Sequence, residues 1–382
     1  MSLAGLHIVG VANIPALADV AWDSAVARCP KRMAHGPCAG ISAAGVCEVP
    51  GAGRCSYLDV AAADWPYPRT RLPAPAGQAP RTPRPPAVAQ FLATVAARPV
   101  IVADLVAAPL SADAVRASAA ALAGSADAVL TGDHPGARVQ FPPSYRVRLL
   151  AGEGVAGWAG INCRDRNRVA LEGEIAACAD AGAAGLHCVT GDHPGTGHRP
   201  DAAAVFDTDS VGLVGLARTA GVLCSVAHAP AAPPQDKRLA RLVTKIGAGA
   251  DVVFVDHSGG VDHVAAAVDA VRAAGFSGLL LCCVPVVTSA DAAKVIASFA
   301  AGRLPRGYLD AITGAADPAA AGIAAAVGFA QALLEVPGVD GVNLSGGAGP
   351  GRELALTQAI AEVARRVIGA ALPRRGPGRR PT

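Results

Sequence analysis

At 382 residues the chain is longer than one small domain and suits a barrel of about 250 residues with an accessory module. Hydrophobic residues make up 52% and aromatic residues only 4%, so a large core is available, built mostly from small and aliphatic side chains. The net charge is +3, with part of the excess in Arg374, Arg375, Arg379 and Arg380; no basic stripe is interleaved with aromatics, which excludes a nucleic-acid groove, and no apolar run reaches the ~18 residues of a membrane span.

Residues 1–65 read as a small cysteine-bearing module. Its start, from Gly5 to Val20, is apolar, but Asn13 and Pro15 interrupt it and no basic region precedes it, so it does not read as a signal peptide. The ten Cys are accordingly expected in a reducing cytoplasm, where clustered thiols favour metal over disulfides. Cys29, Cys38, Cys47 and Cys55 have Gly and Pro beside them that let the backbone turn around an ion. Four thiolates suit zinc or a [4Fe–4S] cluster, although no CxxC knuckle is present. The other six Cys lie in apolar runs and read as small buried hydrophobes.

Residues 66–98 form a linker dense in proline, extended by composition, with a lead-in helix over 87–97. Eight β-branched runs follow, at 100–106, 128–131, 155–162, 185–190, 222–226, 252–256, 279–284 and 339–344, each followed by an Ala-rich helical stretch. Strands alternating with helices predict parallel pairing, and eight such units over 99–372 predict a (β/α)8 TIM barrel; an open doubly wound sheet is the alternative. Residues 373–382 read as a basic disordered tail.

The C-terminal ends of the runs carry the polar groups, among them Asp104, Thr131, Asn162, Thr190, Gly191, Asp192, His228 and Asp256. In a barrel that is the face where chemistry sits. The string Thr-Gly-Asp-His-Pro-Gly occurs twice, at 131–136 and 190–195, after the second and fourth strands.

Cys163-Arg164-Asp165-Arg166-Asn167-Arg168-Val169-Ala170-Leu171, then Thr190-Gly191-Asp192, then Val205-Phe206-Asp207-Thr208-Asp209-Ser210 resemble, in order, segments of the methylenetetrahydrofolate reductase family. The Cys29–Cys55 pattern resembles a small domain associated with the same family and usually named as its C-terminal part. The resemblance implies reduction of 5,10-methylenetetrahydrofolate to 5-methyltetrahydrofolate in one-carbon and methionine metabolism. Hydride would pass through FAD from NAD(P)H or another electron donor, such as an electron-donor protein. It implies that Asp192 sits beside the flavin and holds the pterin, that Thr131 contacts the flavin and that Lys245 faces the FAD phosphates. Asn162, Thr190, Gly191 and His228 are assigned to the same cofactor face.

Three positions depart from the family pattern. Asp104 stands where a Glu serves as general acid, Asp256 where a Thr-Gln pair grips the substrate, and Gly160 where a His is usual. These departures keep two other readings open: a pterin-dependent methyltransferase and a non-catalytic folate-binding or electron-docking partner. A homo-oligomer also stays open.

Overall fold

The structure, a computed structural model, describes residues 21–66, 83–132, 139–299 and 302–370. The apolar N-terminal stretch, most of the linker, residues 133–136 of the first repeat and the basic tail lie outside the described residues.

Eight parallel strands close into a barrel in chain order: β1 (Val100–Asp104), β2 (Ala128–Thr131), β3 (Gly157–Asn162), β4 (Gly185–Val189), β5 (Leu223–His228), β6 (Val252–Val255), β7 (Leu279–Pro285) and β8 (Gly341–Ser345). Closure is made by β1 on β8, with Val102 opposite Asn343. The strands are almost wholly buried, because a parallel barrel is covered by helices outside and filled by side chains inside. The TIM barrel is therefore the fold, preceded by a small N-terminal module as the alternating pattern predicts.

The described helices are α1 (Trp22–Arg28) in the module, α2 (Pro86–Ala97) ahead of the barrel, and α3 (Ala112–Leu122), α4 (Pro143–Gly152), α5 (Arg168–Asp180), α6 (Ser210–Ala217), α7 (Arg238–Gly247) and α8 (Val261–Ala273) after successive strands. Three helices, α9 (Ala290–Ala297), α10 (Tyr308–Thr313) and α11 (Pro318–Leu334), follow β7, and α12 (Glu353–Gly369) follows β8. Side chains cap several of them: Ser111 accepts from Ala114, Asn167 from Ala170 and Asp317 from Ala319 and Ala320. No described helix is long and apolar enough to cross a membrane.

Trp158 fills the lower interior. Its Nε1 donates to Ser225 Oγ across the barrel at 2.9 Å, and Ser225 Oγ is also 2.9 Å from His187 Nδ1. Phe91 of α2 packs edge-on against the same indole, 5.1 Å between centroids, so α2 seals the N-terminal end. That end is also stitched by three carboxylates, each one residue ahead of its strand. Asp127 accepts from the Ile101 N–H, Asp251 from Cys224 and Asp340 from Leu280, and Asp127 and Asp340 also pair with Arg98 and Arg272.

The module is a short-looped unit around α1. Isolated antiparallel bridges join Ile41 to Cys47 and Val46 to Arg54. Its core includes Ala25, Met33, Ile41 and Tyr57, with Trp22 edge-on to both Tyr57 and Trp65 at 5.4 Å.

Candidate active site

Strand ends bring three carboxylates to the C-terminal mouth. Asp104 at the end of β1 is enclosed by the barrel and accepts from Asn343 Nδ2 at 3.1 Å. Burial pushes its carboxyl up to about 7, the Asn343 bond opposes that, and nearby Asp256 adds to it. Asp192 follows β4, and Asp256 follows β6.

Two cavities open at this mouth. The first, about 170 Å³, is lined by Asp104, Gly132, Phe141, Arg146, Asp192 and Phe299 among others. The second, about 400 Å³, is lined by Thr190, Asp192, His228, Lys245 and Asp256 from the barrel and by Lys31, Cys38 and Glu48 from the module. Asp192 and Phe299 border both, so the two chambers meet at that carboxylate. An arrangement of this kind can hold two reactants on either side of one acidic group.

Gly191 supports the meeting point. Its φ of +87° suits glycine, and a Cβ there would lie 2.8 Å from Asn162 Cβ. Its carbonyl accepts from Lys31 Nζ at 2.8 Å. Lys31 is buried, ion-paired with Glu48, and its electrostatic neighbours include Asp192. Cys38 and Glu48 hold its ammonium above the usual range against the penalty of burial. The module thus places a cation beside the shared carboxylate.

Helix α7 fastens the module. Arg238 donates to the carbonyls of Pro37 at 3.1 Å and Cys38 at 3.0 Å, and also to those of Ala232 and Pro233. Arg241 donates to the His35 carbonyl and pairs with Asp209. Asp209 in turn accepts from the His35 backbone N–H, lies 3.0 Å from its ring Nδ1 and caps α6 through the Val211 N–H. Burial alone would raise the Asp209 carboxyl, but Arg241 and His35 hold it well below the usual carboxylate range. Lys245, one turn further along, is enclosed and donates to the Ala227 carbonyl at 2.7 Å; burial lowers its ammonium to about 7. Burial also lowers His228 to about 3, so that ring is neutral.

The structure thus brings Asp104, Asp192, Asp256, Thr190, Gly191, His228 and Lys245 to the mouth, but not two of the expected cofactor contacts. Thr131 is wholly buried, with its hydroxyl turned toward the Trp158 carbonyl at 3.4 Å, and lines neither chamber. A threonine at the last strand position alternates inward or sideways with the pleat, and here the neighbouring backbone takes it. Asn162 accepts from the Arg164 N–H at 3.0 Å and lines a separate groove. Gly160 has no room for the family's usual His: a Cβ would lie 2.8 Å from Gly132 Cα and 2.9 Å from the Thr131 carbonyl. Sequence reading missed Lys31, Arg238, Arg241 and Phe299, whereas Asn343 was visible as the polar end of the eighth strand. Arg238, Arg241 and Lys245 were detectable as a basic stripe at spacings of three and four on one helix.

With this geometry in view, comparison with known proteins decides the family. The sequence profile described as Methylenetetrahydrofolate reductase matches residues 136–345, more than half of the chain. The chain belongs to the methylenetetrahydrofolate reductase family. A second profile, Methylene-tetrahydrofolate reductase C terminal, matches residues 15–64, which is the four-Cys module. No curated protein matches the chain. Among solved structures, an uncharacterized protein from Clostridium thermocellum that binds two copies of 5-methyl-5,6,7,8-tetrahydrofolic acid is similar at 10% identity and TM-score 0.53, over 72% of this chain and 98% of that one. A tryptophan synthase from M. tuberculosis is similar at 16% identity and TM-score 0.43, over 73% and 98%. At 10% identity the likeness to the Clostridium thermocellum protein concerns fold alone.

The family's FAD can be tested against the second chamber. Its charge suits a diphosphate, but its hydrogen bonding does not: the guanidinium groups of Arg238 and Arg241 are bonded to module carbonyls, and Lys245 to Ala227. As arranged, these residues do not fit the dinucleotide's phosphates.

The four Cys fit a metal by donor chemistry. Cys29, Cys38, Cys47 and Cys55 sense one another's charge. Three of them accept a backbone N–H from the residue two positions on: Cys29 from Lys31, Cys47 from Val49 and Cys55 from Tyr57. Lys31 and Arg238 face Cys38, which suits the net negative charge of a tetrathiolate centre. Among the described residues, however, no three His, Cys, Asp or Glu side chains stand in a metal-holding arrangement, so the thiols are neighbours rather than a closed ligand shell. All ten Cys are free thiols.

Proposed function

We propose that the chain is an oxidoreductase of folate-bound one-carbon units that reduces 5,10-methylenetetrahydrofolate to 5-methyltetrahydrofolate. The observation that carries this reading is Asp104: a carboxyl that burial raises to about 7, lining one chamber together with Asp192. A general acid works best with its pKa near the operating pH. Asp104 would give its proton to a bridge nitrogen, that C–N bond would break, and the resulting iminium carbon would accept a hydride, leaving a methyl group. Asp192 and Asp256 would hold the pterin N–H groups and stabilise the cation. The hydride would come from an external reductant of the dihydronicotinamide class. The four thiols would hold zinc or a [4Fe–4S] cluster, which iron, zinc and acid-labile sulfide analysis of anaerobically purified protein would separate.

The test is anaerobic turnover of 5,10-methylenetetrahydrofolate with NADH and NADPH, following both nicotinamide absorbance and the methyl product. Asp104→Asn and Asp192→Asn are each expected to lower kcat roughly 10²-fold or more with the fold retained. Wild-type rates in both variants would reject the assignment. A second reading, pterin-dependent methyl transfer, is favoured by the engagement of Arg238 and Arg241, since it needs no dinucleotide. It predicts methyl loss from 5-methyltetrahydrofolate to a thiol or corrinoid acceptor without change in nicotinamide absorbance.

A further inference from the structure

Asp192 stands between two peptide groups, and the module holds both. The Gly191 carbonyl, in the peptide ahead of Asp192, accepts from Lys31 Nζ at 2.8 Å. The His193 N–H, in the peptide behind it, donates to Glu48 Oε1 at 3.3 Å. Lys31 and Glu48 are ion-paired, so the two bonds are the ends of one bridge. Peptide groups are planar, and fixing the two that meet at a Cα fixes its φ and ψ. The direction in which the Asp192 side chain leaves the backbone follows from that. Gly191, with its φ of +87°, gives this loop a backbone that tolerates other conformations unless it is held.

Both sides of the contact are shaped for the bridge. In the module the Glu48 carboxylate lies against Gly40, where a Cβ would overlap it, and the Glu48 N–H donates to the Gly40 carbonyl at 2.9 Å. In the barrel Phe206 is a common floor: its ring stacks with that of His193 at 5.9 Å and 20°, and Lys31 Nζ lies 5.9 Å from its centroid. The fastening to α7 uses other residues, Arg238 and Arg241. A buried ion pair is a poor source of stability compared with apolar residues of similar size. Lys31 and Glu48, with side chains 4% and 17% exposed, are therefore better explained by what their polar ends hold than by docking.

We propose that Lys31 and Glu48 form a clamp, supplied by the module, that positions Asp192 for the reaction, so that the barrel's site is incomplete without the module. Both are positioning residues that act through Asp192. The proposal rests on the folate reading above and gives the module a part in it that is independent of any ion at the thiols.

The first measurement needs no turnover. Amide hydrogen exchange, resolved to single residues, is made on the full-length protein and on the paired variant Lys31→Met, Glu48→Leu, which removes both charges together and strands neither. The His193 amide is expected to exchange about tenfold faster in the variant. The second is a cycle of kcat for 5,10-methylenetetrahydrofolate in the wild type, the paired variant, Asp192→Asn and their combination. The paired variant should lose roughly tenfold or more in kcat. The combination should be within about twofold of Asp192→Asn alone, because residues that act through Asp192 have nothing left to act on. A module that only steadies the fold would slow both backgrounds by the same factor. That result, wild-type kcat in the paired variant, or unchanged exchange at His193 would overturn the clamp and leave the folate reading intact. A wild type without turnover would overturn the folate reading and the clamp's role with it. If the paired variant folds poorly, exchange in the unaltered chain decides: a His193 amide as fast as an exposed one overturns the clamp, and a protected one upholds it.

Discussion

Asp104 shows how one residue can be placed at some cost to the fold. Its carboxyl is raised from an ordinary 3.8 to about 7, so the folded protein holds that proton more tightly than the unfolded chain does. The contribution is fully favourable below about pH 4 and is lost as pH rises through 7, because above that the fold must carry a buried charge. Asp104→Asn removes the penalty while keeping a hydrogen-bonding group beside Asn343. Thermal unfolding should therefore show the variant more stable than wild type at pH 8, by roughly 1–4 kcal/mol, with the gap closing toward pH 4. A constant difference across that range would mean that the carboxyl is not the titrating group. The position was legible in the sequence as the polar end of the first strand. Its protonation was not, because that depends on enclosure by β8 and on Asp256, more than 100 residues away.

At the scale of elements, the alternation of strands and helices was the strongest signal, and all eight strands lie where the β-branched runs predicted them. The four-Cys unit was equally visible by its spacing. What spacing could not convey was where that unit would sit. It forms a wall of the second chamber, held by α7 through Arg238 and Arg241, and the carbonyls it presents leave no mark in sequence. Thr131 is the converse case: a residue type suited to a ligand, at a strand end, has its hydroxyl turned toward the adjacent backbone. Arg238→Ala should loosen the module on α7, since the Pro37 and Cys38 carbonyls of the module lose a buried charged donor. The expected result is faster reaction of Cys29, Cys38, Cys47 and Cys55 with a thiol reagent. Unchanged labelling would show that the docking does not depend on this residue.

At the scale of the molecule, the two ends of the barrel divide the work. The C-terminal mouth gathers buried or half-buried carboxylates and cations, while the N-terminal end is closed by α2 and stitched by Asp127, Asp251 and Asp340. Removing a stitch should affect stability without touching chemistry. Asp340→Ala leaves Arg272 and the Leu280 N–H without a shared acceptor and is expected to cost about 3 kcal/mol in denaturant unfolding, with kcat close to wild type. A large fall in kcat at full occupancy of the folded state would contradict this division. The repeated Asp ahead of a strand could be read from sequence only in retrospect, since the same residue is common in turns.

The module's contacts with the barrel span great lengths of chain: Lys31 reaches Gly191 across 160 positions, and Arg241 reaches His35 across 206. During synthesis the four thiols are therefore made well before the surface that will hold them. At about 5–20 residues per second the interval is on the order of 10–40 seconds. A module that took up an ion in that interval would do so before the barrel surface that holds it exists.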